Sequence, residues 1–317
     1  MSDLDLTVVV VTYGDLERVR GCLRSVMREV ADLRAEVIVV DNASNDGTGE
    51  SVSREFPDIR VMLNSRNRGF AAANNQAIRE SRGSYILLLN PDTELHPGAI
   101  GAVMSFLAQH PEAWVAGCRL VSGDGTLQCS VGAFPSVLEG LLRASFLYLL
   151  LPGNAVIGNR GIRMFDYASP APVDWVMGAF FMVRRVAFEA LGELDEQFFM
   201  YSEEVDFCQR VRNCGREVWY TPGGTVTHFW GGMNAVSGRT LLWLVASQLL
   251  YLRKHSRGMR RWVLTALKFA SLAIRTVVYA LSGFLTLNRG RLGKARYACT
   301  TFARLLISSP ADVWPAR

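Results

Sequence analysis

Apolar runs alternate with helix-length polar and mixed stretches through the first third of the chain. Leu6 to Val11, Glu36 to Val40, Ile59 to Leu63 and Tyr85 to Leu89 are dense in large apolar residues. They lack the in–out alternation of a half-exposed strand, so they predict strands covered on both faces. Asp15 to about Val30 and Ala71 to Ser81 predict helices between them. Strands and helices in that order predict βαβ units: an α/β fold with a mostly parallel sheet and helices on both faces. Each run stops at a polar cluster: Thr12-Tyr13-Gly14, Asp41 to Thr48, Asn64 to Phe70, and Asn90-Pro91-Asp92. Pro91 cannot continue a central ladder, so the fourth strand ends there. In a parallel sheet these clusters share the carboxyl edge, where open α/β folds bind ligands. One acidic turn is ordinary, whereas several converging on one edge predict a site. No G-x-G-x-x-G follows the first run, which argues against a dinucleotide-binding domain.

A second polar constellation lies in Phe198 to Arg210, where Glu203, Glu204 and Asp206 fall within four residues. If Glu203 opens a helix, Asp206 and Arg210 share its face. Acids in a first turn ordinarily complement the helix dipole. Three of them behind an aromatic-rich approach also suit general acid–base work. Between the constellations, Val173 to Arg185 reads as a strand containing Gly178-Ala179, and glycine in a strand often marks close backbone approach. Trp175 in that run is either a core residue or an aromatic stacking surface. Residues 132–172 are weakly patterned and read as an insertion, with an apolar segment from Val137 to Leu151. An insertion of that length has room for a lid.

Taken in order, Val9-Val10-Val11-Thr12-Tyr13, Val39 to Thr48, Asn67-Arg68-Gly69-Phe70-Ala71-Ala72-Ala73-Asn74-Asn75 and Leu89-Asn90-Pro91-Asp92 resemble family 2 glycosyltransferases of the GT-A fold. The rhamnosyltransferase-like branch is the nearest in pattern. The resemblance covers roughly residues 5–235. It implies a nucleotide-sugar site drawn from Thr12, Tyr13, Gly14, Asp41, Asn42, Ser44, Asp46, Asn67, Gly69, Phe70, Asn74, Asn90 and Asp92. The family's D-x-D signature becomes Asn90-Pro91-Asp92, which leaves Asp92 as the main carboxylate for a divalent cation, Mn²⁺ or Mg²⁺, with Asn90 as a neutral donor. His228 stands where some relatives place a metal ligand; a packed structural histidine is the equal alternative. The general base corresponds to Glu204, with Glu203 as runner-up. Asp206 is expected to orient the helix or pair with Arg210, and Trp175, Gly178 and Ala179 to face the sugars. The cation would neutralise charge on a departing diphosphate.

Composition refines the domain plan. The 317 residues suit a large α/β domain, 1–235, divided at about 95 into a nucleotide-sugar part and an acceptor-side part, plus a C-terminal region, 236–317. The six cysteines (22, 118, 129, 208, 214, 299) show no C-x-x-C pairing and read as reduced core residues. The amino terminus, Met1 to Asp5, has no basic segment, and no secretory signal is expected.

The net charge of +5 conceals a division: residues 253–317 carry 13 Lys/Arg and a single acid, Asp312. Trp262 to Leu287 is long enough to span a bilayer but contains Lys268 and Arg275. Arg261, Lys268, Arg275 and Arg289 recur every seven residues, which predicts a narrow polar stripe held at lipid headgroups by an in-plane helix. The expected location is therefore the cytoplasmic face of the cell membrane, peripheral or monotopic, with residues 253–297 against anionic lipid. A soluble helical cap or a homodimer contact is the competing reading. Nucleic acid is not expected, because the basic residues are interleaved with aliphatic ones and lack a stacking platform.

The expected reaction is inverting transfer of a sugar, with dTDP-rhamnose as the donor implied by resemblance, to a polyprenyl-diphosphate-linked saccharide of the cell envelope. Another donor such as a UDP-sugar stays open, as does a non-catalytic sugar-nucleotide-binding or scaffold protein. A nucleotidyltransferase would need a glycine-rich phosphate loop with a lysine after the first strand, which this chain lacks.

Overall fold

The structure, a computed structural model, describes residues 4–159, 161–229, 238–286, 289–307 and 310–314. Met1 to Asp3, the glycines following Trp230, Trp230 itself and the expected boundary at 235/236 lie outside the described residues. The chain forms two compact units, the first from 1–132, 166–196 and 203–230, the second from 133–165, 197–202 and 231–317.

In the first unit the elements run β1 (Leu4–Thr12), α1 (Leu16–Val30), β2 (Ala35–Asp41), α2 (Thr48–Glu55), β3 (Arg60–Leu63), α3 (Phe70–Glu80) and β4 (Gly83–Leu89). There follow β5 (Thr93–Leu95), α4 (Ala99–Gln109), β6 (Ala113–Val121), β7 (Leu127–Gln128) and β8 (Val131–Gly132). The second unit contributes α5 (Val137–Ala144) and a hairpin, β9 (Ala155–Gly158) with β10 (Gly161–Met164). The chain then returns to the first unit through β11 (Ala171–Val173), β12 (Trp175–Val176), β13 (Phe180–Arg184), α6 (Arg185–Leu191), α7 (Glu203–Asn213) and β14 (Glu217–His228). It ends in the second with α8 (Gly238–His255), α9 (Gly258–Leu285) and α10 (Arg289–Ile307).

The main sheet is ordered β11-β14-β6-β13-β4-β1-β2-β3. Strands β14, β6, β4, β1, β2 and β3 run one way; β11 and β13 run against them. The parallel registers Thr12↔Asp41, Val10↔Leu89 and Asp41↔Leu63 bring the four expected strands to nearly flush carboxyl ends. The reason is visible in burial: Val8, Val9, Val10, Ile38, Val39, Leu87 and Leu88 are all inaccessible, so both sheet faces are covered. Helix α1 seals one face with Val19, Cys22, Leu23 and Val26. Helix α2 escaped the sequence reading; it is only eight residues long, beneath the length at which apolar periodicity is legible.

Two expectations are corrected. Cys22, Cys118 and Cys208 are buried, but Cys129, Cys214 and Cys299 are exposed, so half of the cysteines are not core residues. Residues 133–165 belong to the second unit, not to a loop of the first. Their apolar segment is helical because Ser136 caps α5 by accepting from the Glu139 amide at 3.1 Å, and Gly140 lets Leu267 of α9 pack closely.

That packing also redirects the polar stripe of α9. Lys268 lines a recess with Glu139 and Arg143 of α5, and Arg275 donates to the Tyr148 hydroxyl at 3.1 Å while lying over the Phe146 ring. Lys268 and Arg275 are thus turned into the unit, not outward to headgroups. The exposed face of α9 is the apolar one, carrying Val277, Leu281, Phe284 and Leu285.

Candidate active site

The carboxyl edge is built from loops that hold one another. Gly14 donates its amide to the Ser44 hydroxyl at 2.6 Å, and the Asp15 amide donates to Asp46 at 3.1 Å. Asp46 also accepts from the Thr48 hydroxyl at 2.6 Å, which holds its carboxyl below the usual range. Asp41 accepts from both the amide and the hydroxyl of Ser44. It is only 4% exposed, and burial pushes its carboxyl up, against those hydrogen bonds. Gly49 is required beneath it, since a Cβ there would sit 2.8 Å from the Asp41 carboxylate. Thr12 is buried, whereas Tyr13 is 62% exposed and free to cover a ligand.

The asparagines of this edge are spent on the protein itself. Asn42 donates to Asn67 Oδ1 at 2.9 Å and accepts from the Arg68 amide at 3.0 Å, while Asn67 accepts from the Gly69 amide. Asn74 donates to the Phe70 carbonyl at 2.9 Å and is buried. These contacts fix the turn that starts α3 at Phe70, with Gly69 at φ +85°. The geometry gives Asn42, Asn67 and Asn74 loop-holding contacts; it places Tyr13, Ser44 and Asp46 nearer the open surface.

Asp92 lies just beyond β4, one-third exposed, with His228 Nε2 at 3.5 Å from its Oδ1. The pairing of β5 with β14 creates this neighbourhood, because His228 stands opposite Thr93 and the Phe229 amide donates to the Asp92 carbonyl at 2.8 Å. Gln128 holds the imidazole from behind: its Oε1 meets His228 Nδ1 at 2.9 Å, and its Nε2 donates to the His228 carbonyl at 2.8 Å. An amide oxygen only accepts, so Nδ1 carries a proton, and Nε2 is the nitrogen turned towards Asp92. An imidazole nitrogen held in this orientation beside a carboxylate is a donor pair that would suit a divalent cation. No cluster of three or more His, Cys, Asp or Glu suited to a metal occurs among the described residues, so further ligands would come from substrate or water. The sequence reading missed Gln128. A lone glutamine 100 residues away leaves no local signal, and only the β6–β7 turn brings it to His228.

The other side of the site is assembled through Gly178 and Ala179. The Asn90 amide donates to the Ala179 carbonyl at 3.1 Å, extending the Leu89↔Phe180 register. A Cβ on Gly178 would touch the Glu204 side chain at 3.9 Å, so Glu204 stands directly over this backbone. The backbone of Asn90 is thereby brought beside Ala179, and Glu204 against Gly178. Trp175 pairs with Gly132 and its ring occupies the space a Cβ on that glycine would take, packing flat on β8.

Helix α7 starts at Glu203 after two residues with left-handed backbone, Tyr201 at φ +70° and Ser202 at φ +67°. Such conformations are costly for non-glycine residues and recur where a site dictates the backbone. Glu203 is 5% exposed. Burial first, and the Glu204 charge second, push its carboxyl well above the ordinary range. Asp206 is buried and paired with Arg210 at 2.9 Å, and Arg210 also donates to the carbonyls of Leu191 and Glu193. Asp206 therefore anchors α7 to the end of α6, as one of the two expected roles requires.

Residues 7–192 match the family model of Glycosyl transferase family 2. Over 240 residues the chain is 30% identical to N-acetylglucosaminyl-diphospho-decaprenol L-rhamnosyltransferase of Mycobacterium tuberculosis, covering 72% of this chain and 76% of that protein. It is 23% identical over 256 residues to Rhamnosyltransferase WbbL of Escherichia coli K12, covering 78% and 92% respectively. Among solved structures, mannosyltransferase PcManGT from Pyrobaculum calidifontis in complex with GDP-Man and Mn²⁺ superposes with TM-score 0.57 at 16% identity, over 97% of this chain and 90% of that one. At that identity the likeness shows a shared fold, the GT-A arrangement.

Proposed function

The chain belongs to glycosyl transferase family 2, and from that premise we propose that it transfers a sugar, with inversion, from a nucleotide donor to a polyprenyl-diphosphate-linked saccharide. The observation that carries the proposal is the pair Asp92 and His228, 3.5 Å apart at the sheet edge. Asp92 and His228 would hold a divalent cation, Mn²⁺ suiting the mixed oxygen and imidazole set. When bound, that cation supplies charge neutralisation for the leaving diphosphate.

The protein's own groups divide the remaining work. Tyr13, Ser44 and Asp46 meet the nucleoside in this reading, while Asn42, Asn67 and Asn74 keep their loops in shape. Glu204 takes the proton from the acceptor hydroxyl, because it faces the close backbone approach at Gly178. Glu203 is assigned the supporting role, since burial and the neighbouring Glu204 charge disfavour the charged form that takes a proton. One base and no positioned protein nucleophile among the described residues support a single displacement. The names of the similar rhamnosyltransferases support rhamnose as the sugar and a polyprenyl-diphosphate acceptor; the nucleotide proposed with it is dTDP.

A lipid-linked acceptor places the enzyme at a membrane. Helix α9 is long and apolar enough to cross one, with mean hydropathy 1.5, and its outward face is aliphatic. Lys268 and Arg275 would each cost about 2.5–3.5 kcal/mol at the centre of a bilayer, which favours a monotopic seat on the cytoplasmic face. The test is direct. Asp92→Ala should lose cation-dependent donor turnover, and Glu204→Gln should lose turnover while keeping donor binding by thermal shift. Full turnover in either purified variant would overturn its assignment.

A further inference from the structure

The second unit contains a cleft of about 400 Å³ where α8, α9 and α10 meet. That is within the range of small-molecule sites, about 300–1,000 Å³. Its floor is apolar: Leu249 from α8, Phe269 from α9 and Leu305 from α10, with Trp262 at the side. Two guanidinium groups, Arg253 and Arg261, line it as well. Residues 253–317 contain one acid, Asp312, and neither arginine forms an ion pair among the described residues. Arg253 has an ordinary reason to be where it is, at the end of α8, complementing the helix dipole. Arg261 has the opposite setting: the first turn of α9 holds no acid to offset it. Cations there oppose the dipole unless an anion joins them. The Phe269–Phe302 contact, edge-on at 5.7 Å, keeps the floor in place between α9 and α10.

Arginine forks beside an aromatic and aliphatic trough recognise an amphiphile: an anionic phosphate group continuous with an apolar chain. We propose that this cleft is the docking site for the polyprenyl diphosphate of the acceptor, Arg253 and Arg261 taking the diphosphate and Leu249, Trp262, Phe269 and Leu305 the first isoprene units. The inference rests on the acceptor class proposed above and adds a place on the protein for its lipid end. Anchoring there gives the saccharide a high effective concentration at the enzyme without requiring recognition of its sugars.

Farnesyl diphosphate is the probe, with inorganic pyrophosphate and farnesol as its two halves, and titration calorimetry on the full chain as the readout. Farnesyl diphosphate should bind at least ten-fold more tightly than either half. The double variant Arg253→Ala/Arg261→Ala should weaken it ten-fold or more, and Thr265→Trp, which fills the cleft and leaves both arginines, should do the same. Donor binding by thermal shift should be unchanged in both variants, which also verifies that they fold. Farnesyl diphosphate affinity within two-fold of wild type in either variant would overturn the assignment. So would loss of binding to phosphatidylglycerol vesicles with farnesyl diphosphate binding retained, which would make the cleft a phospholipid headgroup site. Failure of the wild-type protein to bind any nucleotide sugar would instead strike the proposed reaction and leave the cleft result standing.

Discussion

Replacing Gln128 by Leu removes the group that sets the His228 tautomer while keeping a side chain of similar length. Three hydrogen bonds disappear: His228 Nδ1 to Oε1 at 2.9 Å, Nε2 to the His228 carbonyl at 2.8 Å, and Nε2 to Ser122 Oγ at 3.1 Å. Net hydrogen-bond contributions of about 0.5–1.5 kcal/mol each give a loss on the order of 2–4 kcal/mol, since His228 is 3% exposed and its Nδ1 proton is left without a partner. For a domain of this size that corresponds to a melting point lower by roughly 4–12 °C. The second consequence is specific to the proposed role. A partner that orients a metal-binding imidazole is worth about 10–100-fold in metal affinity. Donor-induced thermal shifts titrated with Mn²⁺ at a temperature where the variant is folded should show a midpoint displaced by that factor. A purely structural histidine would lower stability and leave the Mn²⁺ midpoint unmoved. That result would refute the assignment of His228 as a ligand, and with it the reason given for Gln128.

Two further outcomes follow from α7. Because Glu203 keeps its proton in the folded state above its ordinary value of 4.5, the folded chain binds more protons than the unfolded one there, and stability falls as pH rises past about that point. Glu203→Gln removes that loss, so its melting point should exceed wild type at about pH 8 and converge with it at about pH 4; parallel profiles would contradict the buried-acid reading. Arg210→Met removes the paired cation from the inaccessible Asp206 carboxylate and should cost about 3–5 kcal/mol in urea unfolding. Adding Asp206→Asn should recover most of that loss, and a single-variant loss below about 1 kcal/mol would show the pair to be dispensable.

Local chemistry made the parallel half of the sheet, the stop at Pro91, the opening of α7 at Glu203 and the length of α9 legible in the chain alone. Each depends on burial of neighbouring residues or on a backbone restriction, both of which leave a periodic or positional mark. The neighbours of Asp92 left none. His228 comes from a strand 136 residues away in sequence, paired antiparallel to β5, and Gln128 from the short strand β7 between them. The direction of the α9 polar stripe was equally unreadable, because a heptad of charges specifies a face but not what covers it. Helix α5 and Tyr148 decided that, by offering Lys268 and Arg275 partners inside the unit and leaving the aliphatic face to the outside. Periodicity records which residues share a surface; only long-range packing assigns that surface a partner.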